Sequence, residues 1–72
     1  MTAAAKLKSL VVGNRWTKNG QTFSYEITSD AITNETGDIA GEVWREEGAL
    51  AFFHGYFKIS ADGEVVQFPG LV

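Results

Sequence analysis

Asn19-Gly20 is the feature that most restricts what this chain can fold into. A two-residue type I′ turn needs positive φ at both central positions, and Asn-Gly supplies it at the least steric cost. Across such a turn Lys18 faces Gln21, Thr17 faces Thr22 and Trp16 faces Phe23. Counting outward, Asn14 meets Tyr25 and Val12 meets Ile27. One face of the hairpin then carries Val12, Trp16, Phe23, Tyr25 and Ile27. The other carries Val11, Arg15, Thr17, Thr22, Ser24, Glu26 and Thr28. Apolar residues on one side and polar residues on the other describe an antiparallel sheet with a single buried face. Turn chemistry and apolar pattern select the same register, so the rest of the chain has to be built around this hairpin.

Two further turns extend the sheet. Asp62-Gly63 predicts a second hairpin in which Phe57 faces Phe68, Lys58 faces Gln67 and Ile59 faces Val66. Pro69 lacks an amide donor and ends the last strand. Glu46-Glu47-Gly48 predicts the turn between a strand around 39–45 and a long one around 49–60. A two-residue loop there sets Trp44 against Ala51, and a three-residue loop sets it against Leu50. Residues 29–38 are rich in Asp, Asn, Thr and Gly and read as the main loop, with a short strand or helical turn near 31–33.

The N-terminus carries two signals. Thr2 as an N-cap, Ala3, Leu7, Leu10 and Val11 at helical spacing, and Gly13 as a C′ residue describe a short helix. Val11 and Val12 favour a strand. The compromise is a loose or helical segment over 1–8 and a single β domain over 9–72. Strands are expected at 9–18, 21–29, 38–46, 49–60 and 64–68, paired as a five-stranded antiparallel meander. Covering its one apolar face requires curling into an SH3-like or open barrel, or packing against another copy.

Composition narrows the function. A chain of 72 residues without cysteine has no disulfide and no thiolate ligands for a structural zinc. A single core of this size rarely supplies more than about 3–5 kcal/mol, which makes a homodimer a natural source of added stability. No apolar run approaches the roughly 18–20 residues of a membrane helix. The first residues lack the apolar stretch of a secretory signal. A soluble cytoplasmic protein is therefore expected, with Asn34-Glu35-Thr36 read as loop sequence rather than as a glycosylation site.

Charge is unevenly placed. Residues 1–25 carry Lys6, Lys8, Arg15 and Lys18 with no acid, a balance of +4, and the remainder carries nine acids against Arg45 and Lys58, a balance of −7. Lys6, Lys8, Arg15 and Lys18 would form the basic surface of a nucleic-acid-binding barrel. The formal net charge of −3 argues against that reading and for pairing of the basic segment with acidic strands.

Reactive constellations are hard to assemble from this sequence. His54 is the only histidine, which leaves a metal site or a catalytic dyad without a second imidazole. Asp30, Asn34, Glu35 and Asp38 lack the alternate spacing of a calcium loop. Glu42, Glu46 and Glu47 read as a solvated strand end. An enzyme, a metal and a cofactor are not expected.

The run from Ala49 to Ile59 is apolar on both faces of a strand. The Asp62-Gly63 register assigns Phe53, Phe57 and Ile59 to the core. Leu50, Phe52, His54, Tyr56 and Lys58 then face water, and an aromatic patch of that kind marks a contact surface. Phe52, His54, Tyr56 and Lys58 are accordingly the candidate partner-binding residues, with Trp44 as their neighbour. In the competing reading Gly55 marks a bulge, the parity swaps along the strand, and Phe52 returns to the core. The leading expectation is a small protein-interaction module, an inhibitor or assembly component. By composition it is analogous to accessory proteins carried by phages and plasmids. A nucleic-acid-binding barrel and a structural homo-oligomer are the alternatives.

Overall fold

A computed structural model describes residues 1–28 and 37–71. Most of the loop read over 29–38 therefore lies outside the described residues. So do its 31–33 turn, Asn34-Glu35-Thr36, and the candidate cation ligands Asp30, Asn34 and Glu35. The element order is α1 (Ala3–Leu10), β1 (Arg15–Lys18), β2 (Gln21–Ile27), β3 (Ile39–Glu47), β4 (Leu50–Ile59) and β5 (Val65–Gln67). The strands form one antiparallel sheet in the order β1-β2-β3-β4-β5, curled into a half-barrel. The long axis measures 37 Å, close to the roughly 33 Å of a ten-residue strand, so the β3–β4 hairpin sets the length of the molecule.

The first hairpin has the register that Asn19-Gly20 dictates. Lys18 pairs with Gln21, Thr17 with Thr22 and Trp16 with Phe23, and both turn residues have positive φ. Trp16, Phe23, Tyr25 and Ile27 all contribute to the core. Val12 does not: it is 95% exposed, and the strand expected from residue 9 begins at Arg15. The helix signals prevail instead. The Thr2 side chain accepts a hydrogen bond from the Ala5 amide, and the stripe Ala3, Leu7 and Val11 is buried at successive i, i+4 positions. Val11 is the C-cap, so Gly13 stands outside the C′ position and turns the chain at φ +74°. The hairpin register survives one step beyond the strand, where the Tyr25 amide donates to the Asn14 carbonyl at 3.1 Å.

The other two turns differ from the expected ones. Gly48 and Ala49 form the β3–β4 loop, with Gly48 at φ +62° in the first central position of a II′-type turn. Trp44 consequently faces Phe53, rather than Ala51 or Leu50. In the β4–β5 hairpin the Gly63 amide donates to the Ser60 carbonyl, which makes Ala61, Asp62 and Gly63 a three-residue loop. Its third residue, Gly63, has φ +92°, the left-handed position that such loops require. Ile59 therefore meets Val65, and Val66, expected in the core, is 58% exposed. A register shift between Lys58 and Ile59 restores the expected Lys58–Gln67 pair.

The core lies on the concave face. Val43, Phe57 and Ile59 from the sheet meet Ala3 and Leu7 of α1 and Phe68 after β5. Phe57 and Phe68 stack with ring centroids 4.6 Å apart, and Tyr25 meets Phe57 edge-on at 5.5 Å. Gly41 marks a close approach of β3 to the β2 backbone and to Phe57. A Cβ there would stand 2.0 Å from the Glu26 carbonyl oxygen and 2.6 Å from the Phe57 ring, so no larger residue allows that approach. The C-terminal segment closes the open side: Trp16 Nε1 donates to the Gly70 carbonyl and Lys18 Nζ to the Leu71 carbonyl, each at 2.9 Å.

Candidate functional site: the distal half of the β3–β4 hairpin

The site is made by a bulge. Trp44 pairs with Phe53 but Val43 pairs with Gly55, so His54 is an extra residue on β4. Gly55 takes φ +154°, and a Cβ there would come within 3.0 Å of the Pro69 side chain. The bulge exchanges the faces of the strand. Beyond it toward Ile59, Phe57 and Ile59 point to the core with 1% and 0% exposure. Before it, Phe53 shares the outer face with Trp44, while Phe52 lies opposite Arg45 on the side of Val43. Gly55 thus marks the bulge of the competing sequence reading, but Phe52, which that reading returns to the core, is 43% exposed and outside the core cluster.

The outer face holds a cluster of three rings. Trp44 and Phe53 meet edge-on at 5.6 Å, and Phe53 and Tyr56 at 5.0 Å. Phe53 is 48% exposed and Tyr56 62%. Edge-to-face packing fixes these rings relative to one another without burying them, so they form a pre-ordered apolar surface. Trp44 is held more deeply, and its indole Nε1 is buried without a hydrogen-bond partner among the described residues.

Charges border the cluster. Glu42 lies across from Tyr56 on one side and from Glu26 on the other, and like charges facing each other across strands repel. Among the described residues neither glutamate is in an ion pair. Glu46 is paired with Arg15, and the same region opens into a groove of ≈ 550 Å³ lined by Asn14, Arg15, Ser24, Glu26 and Trp44. A second open groove of ≈ 510 Å³ runs along Tyr56, Val66, Gln67 and Pro69.

The five partner-binding candidates are therefore divided between two faces. Tyr56 and Trp44 lie on the outer face, joined by Phe53, which unbroken strand parity assigns to the core. Lys58 lies farther along the same face and pairs with Asp38 at 3.4 Å. Phe52 is on the other side, with the Arg45 guanidinium 5.1 Å from its ring centre. His54 also turns inward, its ring 5.0 Å from that of Phe23 beside Lys18 and Gly70. The sequence signal that points to Phe53 is Gly55, once it is read as a bulge.

The basic residues do not stand apart as one set. Arg15 is bound to Glu46 and Lys18 to the C-terminal segment, while Lys6 and Lys8 lie on α1. Among the described residues, no three His, Asp or Glu side chains come together as a metal site, and no helix is long and apolar enough to cross a membrane. Asp62 has its carboxyl below the usual carboxylate range, first because Ser60 donates to it and second because the Glu64 amide does. That arrangement belongs to the hairpin loop. Comparison with protein-family models, curated proteins and solved structures finds no match for this chain.

Proposed function

We propose that the chain is a small non-enzymatic protein-interaction module that acts as an inhibitor or an assembly component. The observation that carries this reading is the ring cluster of Trp44, Phe53 and Tyr56, with Phe53 and Tyr56 exposed, on the face of the sheet opposite the core. Aromatic residues are enriched where proteins meet, because they bury large areas at little conformational cost. Phe53 and Tyr56 lie outside the core cluster, so their exposure costs solubility while adding little to folding.

The bordering acids define the partner's chemistry. A surface that sets apolar side chains against the rings and a Lys or Arg against Glu26 and Glu42 would relieve the repulsion of that pair. Loss of that repulsion on binding favours a basic partner protein over an acidic one.

The test uses a Phe53→Ala/Tyr56→Ala double variant and, as control, Val12→Ala at an exposed valine outside the cluster. Both should retain the parent's far-ultraviolet circular dichroism. Extract proteins held by the immobilised parent and by Val12→Ala should be absent from the double variant. Equal retention by all three would show that this surface is not the binding site.

A further inference from the structure

The edges of the half-barrel are guarded unequally. β1 is four residues long, carries Arg15 and Lys18, and is tied to the C-terminal segment through Trp16 and Lys18. β5 is three residues long and is closely succeeded by Pro69. Short length, charge and proline are the devices by which strand edges avoid pairing with other chains. Residues 50–54 of β4 have none of them. β5 pairs with Lys58 and Ile59 alone, and Gln67 Nε2 occupies the Tyr56 carbonyl at 3.0 Å. Among the described residues no strand lies alongside Leu50, Ala51, Phe52, Phe53 or His54 on the side away from β3. Leu50, Ala51, Phe52 and Phe53 carry no charge, and pairing with β3 holds them extended.

We propose that this edge pairs antiparallel with the same edge of a second copy of the chain, joining two half-barrels in one continuous sheet across a twofold axis. A twofold contact requires a surface that complements itself. An extended uncharged run does so: its reversed copy offers a donor for each acceptor, and no like charges meet across the pairing. The side chains agree as well. Phe53 lies on one face and Phe52 on the other, so self-pairing sets apolar groups beside apolar groups on both sides of the joined sheet.

Area sets the strength. Leu50, Phe52 and Phe53 are 64%, 43% and 48% exposed. At about 150–250 Å² per aromatic side chain, complete cover of these three residues in both copies would bury about 500–700 Å². Stable complexes bury about 1,200–2,000 Å², so this dimer forms and dissociates with concentration. The proposal shares Phe53 with the protein-binding reading but rests on the backbone edge of β4 rather than on the ring cluster, and either can fail alone.

Sedimentation or light scattering of the unmodified chain should show the mass rising from one chain toward two between about 1 μM and 1 mM. Amide hydrogen exchange within 50–54 should slow over the same range, while exchange in β1 and β5 should not change. A Leu50→Lys/Phe52→Lys variant with unchanged circular dichroism should weaken the dimer at least about tenfold, because edge lysines oppose pairing. If that variant does not fold, the exchange series on the unmodified chain decides alone. Single-chain mass at about 1 mM would overturn the proposal, as would concentration-independent exchange at 50–54 or a dimer indifferent to the lysines. An extended peptide from another protein that protects these amides while the chain stays monomeric would also overturn it.

Discussion

On one side of His54-Gly55, β4 gives Phe57 and Ile59 to the core; on the other, the same strand leaves Leu50, Phe52 and Phe53 substantially exposed. The exposed half, Leu50-Ala51-Phe52-Phe53, is if anything the more apolar, since the other carries Lys58, and both pair with β3. They differ in the elements that lie over them. The half ending at Ile59 is roofed by Ala3 and Leu7 of α1 and by Phe68, whereas among the described residues the core cluster includes none of residues 50–53 and no second strand pairs with them. Burial in a small sheet is decided by the elements that reach each position, and a strand longer than its cover carries its apolar excess into solvent. That excess is where a partner can bind.

The largest effect that separates the two halves is a single ring deletion. Phe57→Ala should cost about 3–5 kcal/mol, as much as the roughly 3–5 kcal/mol that a core this small rarely exceeds. The variant should be unfolded at 25 °C by circular dichroism. Phe53→Ala, with the same change in chemistry four residues away, should lose about 1 kcal/mol or less in urea denaturation, chiefly its contacts to Trp44 and Tyr56. Equal losses at the two sites would erase the contrast.

A smaller effect addresses the boundary. Gly55→Ala puts a side chain at φ +154° and against Pro69, and should destabilise by about 1–3 kcal/mol. A neutral or stabilising outcome would mean that β4 runs without the bulge, with Phe53 returned to the core face.

The smallest effect lies in the loop beyond the core half. The Asp62 carboxylate is stabilised by hydrogen bonds from Ser60 and the Glu64 amide, so its folded pKa lies below its unfolded one. That contribution is fully present above the unfolded value near about 4 and is lost as pH falls through the lower folded value. Asp62→Asn should therefore be less stable than the parent at pH 7, and the gap should narrow on acidification. A gap that widens toward low pH would contradict the assignment.

The antiparallel meander is legible in the sequence because turn chemistry and strand alternation are local. Asn19-Gly20 determines a register with nothing else consulted, and that register places Trp16, Phe23, Tyr25 and Ile27 together. Val12 is misplaced by local reasoning because two adjacent valines weigh toward a strand, whereas the helix is decided by a remote event, the docking of Ala3 and Leu7 on the sheet. Bulges are the other obscure element. His54 and Val66 each add one residue to a strand, and each moves the residues beyond it to the opposite face without altering composition. The aromatic richness of β4 is plain from the sequence, but dividing Phe52 from Phe53 requires the partner strand.

The most direct test of the division within β4 is the solvent exposure of its rings. Nuclear magnetic resonance with a soluble paramagnetic probe should be recorded where the chain is monomeric. The Phe52, Phe53 and Tyr56 ring protons should relax strongly, while those of Phe57 and Phe68 should be shielded. Phe53 signals as protected as those of Phe57 would contradict the bulge, the outer cluster and the function drawn from them.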